Sequence, residues 1–110
     1  MANIGIVEGD AETRTLLEVL VVRLGHELDP GAPPDLLIVE PASPDAVETV
    51  RTLRAGRPDL PVITVSILPP GPALAAVRAS RHVEKPVSGA RLAEAIDHVL
   101  SSADSVSSST

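Results

Sequence analysis

Ile4-Gly5-Ile6-Val7-Glu8-Gly9-Asp10 is the stretch on which the fold turns. Four uncharged residues, three of them branched aliphatics, suit a strand buried on both faces. The acid, glycine and acid that follow make a turn. Asp10 stands at an N-cap position before a helix over Ala11–Leu24, and Glu12 sits favourably in its first turn. Leu17, Leu20, Val21 and Leu24 recur at helical spacing, and Gly25 ends the run. Leu16, Val19 and Val22 widen the stripe, which predicts a helix buried on more than one side.

The alternation continues outward from this segment. Leu36-Leu37-Ile38-Val39 is a second apolar strand, again ending in an acid, Glu40. Ser43-Pro44-Asp45 starts a helix with Val47, Val50 and Leu53 inward, stopped by Gly56 and Pro58. Pro61–Ser66 is a third strand that Ile67 and Leu68 could extend. Pro69-Pro70-Gly71-Pro72 breaks the chain before a short helix over Ala73–Ala79. His82-Val83-Glu84 is a brief last strand. Ser88 caps a closing helix with Leu92, Ile96, Val99 and Leu100 inward. One domain over residues 1–100 and a flexible serine-rich tail over 101–110 are expected.

Apolar strands alternating with helices define an α/β domain with a doubly wound parallel sheet. Ligands of such sheets bind beyond the carboxyl ends of the strands. The residues there are Glu8, Gly9 and Asp10, then Glu40, Ser66, and Lys85 before Pro86.

Composition removes several functions. Among 110 residues there is no Cys, Phe, Tyr or Trp, and the net charge is −6. Disulfides, thiolate metal sites and cysteine nucleophiles are excluded. Base stacking on aromatic rings is excluded too, and an acidic chain lacks the basic stripe that nucleic acid requires. No apolar run reaches a membrane span of about 20 residues and no signal peptide is visible, so a cytoplasmic protein is expected. The acids are concentrated: residues 1–50 hold ten acids and two bases, net −8.

The strand-end residues, in this order and with these helices between them, resemble the receiver domain of two-component response regulators, a flavodoxin-like fold. The resemblance runs from Ile4 to Leu100. It implies that the Glu8-Gly9-Asp10 segment matches the acidic pair that binds magnesium, and that Glu40 occupies the place of the phosphoacceptor aspartate. Ser66 and Lys85 match the residues that contact the phosphoryl oxygens, and Lys85-Pro86 matches the family's cis peptide. His82 falls at the position of the aromatic switch.

The departures are chemical. Gly9 replaces one acid of the pair, and Asp10 lies one residue late, where it serves as a helix cap. Magnesium requires carboxylate oxygens in tight octahedral geometry. Glu40 is one methylene longer than aspartate, which moves its carboxylate by about a bond length, a displacement that matters to attack geometry. Glu40 can pair with Lys85, either as a stabilising contact or as part of a locked state that imitates some of a phosphoaspartate's charge. With no aromatic in the chain, the switch at His82 cannot work in its usual form; His82 is a substitute rotor or an exposed edge-strand residue. His26 and His98 have no companions at metal spacing and read as surface residues.

Spacing also removes an element. Between Leu28 and Asp35 lie six residues, three of them proline. A helical crossover needs at least about 10–12. The family's second helix is therefore absent, leaving a sheet of four or five strands with a second strand that is missing or irregularly reached. The flank near Ile4, Ile6, Leu36 and Ile38 should then be covered by a partner, a second copy or an unusual chain segment.

These observations lead to an atypical receiver-like domain, not an enzyme, independent of phosphorylation and acting through a protein partner or homodimer. The candidate interface is Ala73–Ala79, Arg81–Glu84 and Arg91–Leu100. No cofactor is expected. One alternative is a working phosphoacceptor served by a histidine kinase, with Glu8, Asp10 and Glu40 gathering magnesium. Another is an unrelated small α/β anion-binding domain, for which no glycine-rich phosphate loop is present.

Overall fold

The three apolar runs become strands β1 (Ile4–Val7), β2 (Leu36–Val39) and β3 (Val62–Ser66), and the mostly polar Arg81–Glu84 becomes β4. A computed structural model describes residues 2–67 and 77–108. The strands form one parallel sheet in the order β1-β2-β3-β4. Helices α1 (Ala11–Arg23), α2 (Ala46–Gly56) and α3 (Gly89–Ser108) connect or follow them.

Side chains alternate across the strands, and each set has its own cover. Ile4, Leu36, Ile38, Ile63, Val65 and Val83 pack with Leu17 and Val21 of α1 and with Leu92, Ile96 and Val99 of α3. On the opposite face Leu37, Val39 and Val62 pack with Ala46 and Val50 of α2, and with Leu60 and Val77.

The helix ends follow local chemistry. Asp10 caps α1 by accepting from the Thr13 N–H at 2.9 Å. At the other end Gly25 has φ +89, its N–H donates to Val22 O, and the His26 N–H donates to Val21 O. That pair of bonds is a Schellman motif, and its left-handed residue is the reason for the glycine. Ser88 Oγ accepts from the Arg91 N–H and starts α3.

Several expectations are corrected. Leu16, Val19 and Val22 are 43%, 42% and 58% exposed, so α1 buries a single stripe. A helix lying on a sheet meets it along one side, and among the described residues no second layer covers α1. In α2 Ala46 and Val50 are buried and Leu53 packs beside them as expected, while Val47 is partly exposed. Ser43 does not cap α2; its Oγ accepts from the Gly9 N–H instead. Strand β3 ends at Ser66, and Ile67 is exposed. Helix α3 does not stop near Leu100 but continues to Ser108. No glycine or proline follows Gly89 in that span, so nothing interrupts a ladder already anchored by packing. Leu68 and residues 73–76 of the expected short helix lie outside the described residues.

The chain between α1 and β2 contains no helix and makes one parallel bridge, Asn3 with Glu27, on the outer side of β1. The Ile4 N–H donates to Glu27 O, and the Glu27 N–H donates to Ala2 O, both at 2.9 Å. Beyond it the buried Asn3 side chain holds the linker. Its Nδ2 donates to the carbonyls of Asp29, Ala32 and Pro33, and its Oδ1 accepts from the Asp29 N–H. The flank left thin is not the one expected. Ile4, Leu36 and Ile38 are buried under α1 and α3, whereas the thinner cover is on the α2 face at β1, where Gly5 and Val7 are half-buried. A Cβ on Gly5 would lie 2.7 Å from Leu37 Cδ2 and 3.6 Å from Pro34 Cβ. The linker thus crosses close over Gly5, and Leu37 fills the space above it.

Candidate functional site

Parallel strands place their carboxyl ends at one edge, so the residues just past them converge. Glu8 follows β1, Glu40 follows β2, Ser66 ends β3 and Lys85 follows β4. Adjacent strand ends are tied together: the Glu40 N–H donates to Val7 O, and the Lys85 N–H donates to Ser66 O, each at 2.8 Å.

Lys85 joins the two glutamates. Its Nζ lies 2.9 Å from Glu8 Oε2 and 3.1 Å from Glu40 Oε2. Both carboxylates are buried, and the Lys85 side chain is 15% exposed. The remaining oxygens are also used. Glu8 Oε1 accepts from the Asp10 N–H, and Glu40 Oε1 accepts from the Ala42 N–H, both at 3.0 Å. Burial works against the Lys85 ammonium, but hydrogen bonds and charge from Glu8 and Glu40 outweigh it and hold its pKa above the ordinary lysine value. Two anions and one cation leave the cluster at net −1 if all three are ionised.

Asp10 is not part of this cluster. Its Oδ2 accepts from both the N–H and the hydroxyl of Thr13, which lowers its pKa. Gly9 offers only its N–H, which donates to Ser43 Oγ at 3.1 Å. This donor set does not fit a hard divalent cation. Glu8 and Glu40 are occupied by Lys85, Asp10 is turned to its own helix, and among the described residues no three acids, histidines or cysteines gather as ligands.

Ser66 is buried beside the cluster. His82 is half-buried, with its Nδ1 2.8 Å from Thr64 Oγ1 on the neighbouring strand, where the two residues are in register. Its Nε2 is buried and meets no hydrogen-bonding partner among the described residues. His26 is half-buried, its Nδ1 accepting from the Ala2 N–H, while His98 is exposed.

Two organising residues escaped the reading of the sequence. Asn3 is one. Arg54 is the other: it donates to Leu60 O twice, to Val77 O and to Arg78 O. It thereby ties α2 to the entry of β3 and to the segment before β4. Burial, then the charge of Arg78, lowers its pKa from the ordinary arginine value. An arginine within an amphipathic helix reads as a solvated charge, so neither residue type nor spacing marks it.

No protein-family model and no curated protein matches the chain. Solved structures do match in shape. NtrX from Brucella abortus superposes with a TM-score of 0.82 at 20% identity over 94% of this chain, which spans 28% of that protein. The signal receiver domain of a modulated diguanylate cyclase from Desulfovibrio desulfuricans G20 gives 0.75 at 20% identity, covering 93% of this chain and 95% of that one. The chemotaxis protein CheY4 of Vibrio cholerae gives 0.78 at 18% identity, covering 90% and 98%. The fold is that of response-regulator receiver domains, with four strands among the described residues.

Proposed function

We propose that this chain is a receiver-like signalling module, not an enzyme, that works without phosphorylation and acts through protein–protein contact. The observation that carries this reading is the pairing of Lys85 with Glu8 and Glu40 together. The lysine that would otherwise meet a phosphoryl group is engaged by two fixed carboxylates. Glu40 Oε2, the oxygen nearest it, would have to give up that partner to act as a nucleophile. The pocket is complete with its own charges.

The candidate interface is the outer edge of β4 with the start of α3. His82, Glu84, Arg91 and Glu94 line a shallow depression there of about 720 Å³. Arg81 spans it to Glu94 at 3.3 Å, an exposed pair that a partner could replace with its own charges.

The test is incubation with a small phosphodonor and magnesium, followed by intact mass. The expected result is an unchanged mass and, in a magnesium titration, unchanged amide resonances of Glu8, Asp10 and Glu40. A stable gain of one phosphoryl group that disappears in Glu40→Gln would overturn the proposal in favour of a working phosphoacceptor.

A further inference from the structure

The outer edge of β1 is open beyond its single bridge. Asn3 O and Val7 O accept from Asp35 and Glu40 on the β2 side, and Ile4 N–H points the other way to Glu27. By that alternation the N–H and C=O of Ile6 face outward, and among the described residues nothing meets them. An unpaired main-chain row of this kind is a template for another strand. Beside it lies a groove of about 360 Å³ where the linker has no helix. Gly5, Val7, Leu37 and Leu53 form its apolar floor, and Glu18, Arg14 and Asp29 stand on its rim.

Charge selects the occupant. Arg14, the one basic residue among the described lining, is already paired with Glu18 at 3.8 Å, so Asp29 leaves the rim with net negative charge. The half of the chain that carries this edge is net −8, which opposes a second copy docking edge to edge. We propose that the β1 edge binds a short extended segment of a partner protein, added as a strand along Gly5–Glu8, beyond the bridge to Glu27. Its alternate residues are apolar toward Val7 and Leu37 and basic toward Glu18 and Asp29. The free edge admits about four residues at roughly 3.3 Å each. This site shares with the Lys85 cluster only the main chain of Glu8, and it stands whether or not that cluster accepts phosphate.

The experiment is an amide-shift titration of the whole chain with a blocked peptide of alternating valine and lysine. Two comparison peptides accompany it: one of valine and glutamate, and one of valine and lysine with main-chain N-methyl groups. The Ile6 amide should shift and become protected from exchange with the first peptide. Affinity should fall about tenfold or more with each of the other two. Val7→Lys, with its charge in the groove, should lose the peptide while keeping the shift pattern of the folded chain. No shift at Ile6, or equal binding of the N-methylated peptide, overturns the proposal. An Ile6 shift that grows with protein concentration alone assigns the edge to a second copy and also overturns it.

Discussion

Lys85 Nζ and Glu40 Oε2 stand 3.1 Å apart at the ends of strands that are not neighbours, with β3 between them. The long glutamate and lysine side chains reach across that gap, and Glu8 meets the same ammonium from β1. Lys85 is thus the only cation holding together two buried carboxylates among the described residues. Lys85→Met should therefore destabilise the fold by about 3 kcal/mol, since it leaves two like charges facing each other. Glu40→Gln leaves the Glu8 pair intact and should cost about 1 kcal/mol. Urea unfolding of both variants checks the order; equal losses would show that the two carboxylates are not held jointly.

The pH dependence of this contribution has a definite sign. The folded pKa of Lys85 is raised above its ordinary 10.5. Its stabilisation is therefore fully present below 10.5 and is lost as pH rises through the higher folded value. Asp10 behaves oppositely: its folded pKa lies below 3.8, so its contribution is present above 3.8 and lost on acidification through the lower value. Unfolding free energy measured across the alkaline range should fall in the native chain and stay flat over that limb in Lys85→Met.

Most of the sheet was legible because three apolar runs, each with a polar residue at its carboxyl end, leave little choice of architecture, and the short β4 follows from its place between helices. The absent helix was legible from six residues and three prolines. What could not be read was which face has the thinner cover at β1. That depends on the parity of β1 relative to α1 and α3, and the even residues Ile4, Leu36 and Ile38 turn out to share the covered side. The pairing of Lys85 with Glu40 follows from strand ends alone. Glu8 as its second partner, and Ser43 as the acceptor for Gly9, depend on how two loops meet and leave no trace in spacing.

The cluster's departures from receiver chemistry can be reversed one at a time. A Cβ on Gly9 would meet only Ser43 Oγ at 3.6 Å, an ordinary contact, and Gly9 is not among the left-handed glycines. Gly9→Asp is therefore tolerated, and it adds a carboxylate beside Glu8. Glu40→Asp withdraws the other carboxylate from Lys85 by one methylene. The double variant should bind magnesium and gain a phosphoryl group from a small phosphodonor, read by intact mass, whereas Glu40→Asp alone should not. Phosphorylation of the single variant would mean that the Glu8–Lys85 pair does not hold the pocket closed.

Asn3 carries the work of the lost helix, and its two side-chain atoms can be tested separately. Nδ2 serves three carbonyls of the linker and Oδ1 serves one N–H. Asn3→Ala removes all four bonds at a site that is 8% exposed, and should cost about 2–3 kcal/mol. Asn3→Asp keeps the acceptor for Asp29 but aims a carboxylate at three carbonyl oxygens, so it should cost at least as much despite its shape. Because the linker crosses over Gly5 and feeds β2, amide exchange should accelerate first at Asp29, Gly31 and Asp35, ahead of β3 and β4. If exchange accelerated evenly over the sheet, the linker would not be a separate unit held by Asn3, and the short crossover would owe its path to the prolines alone.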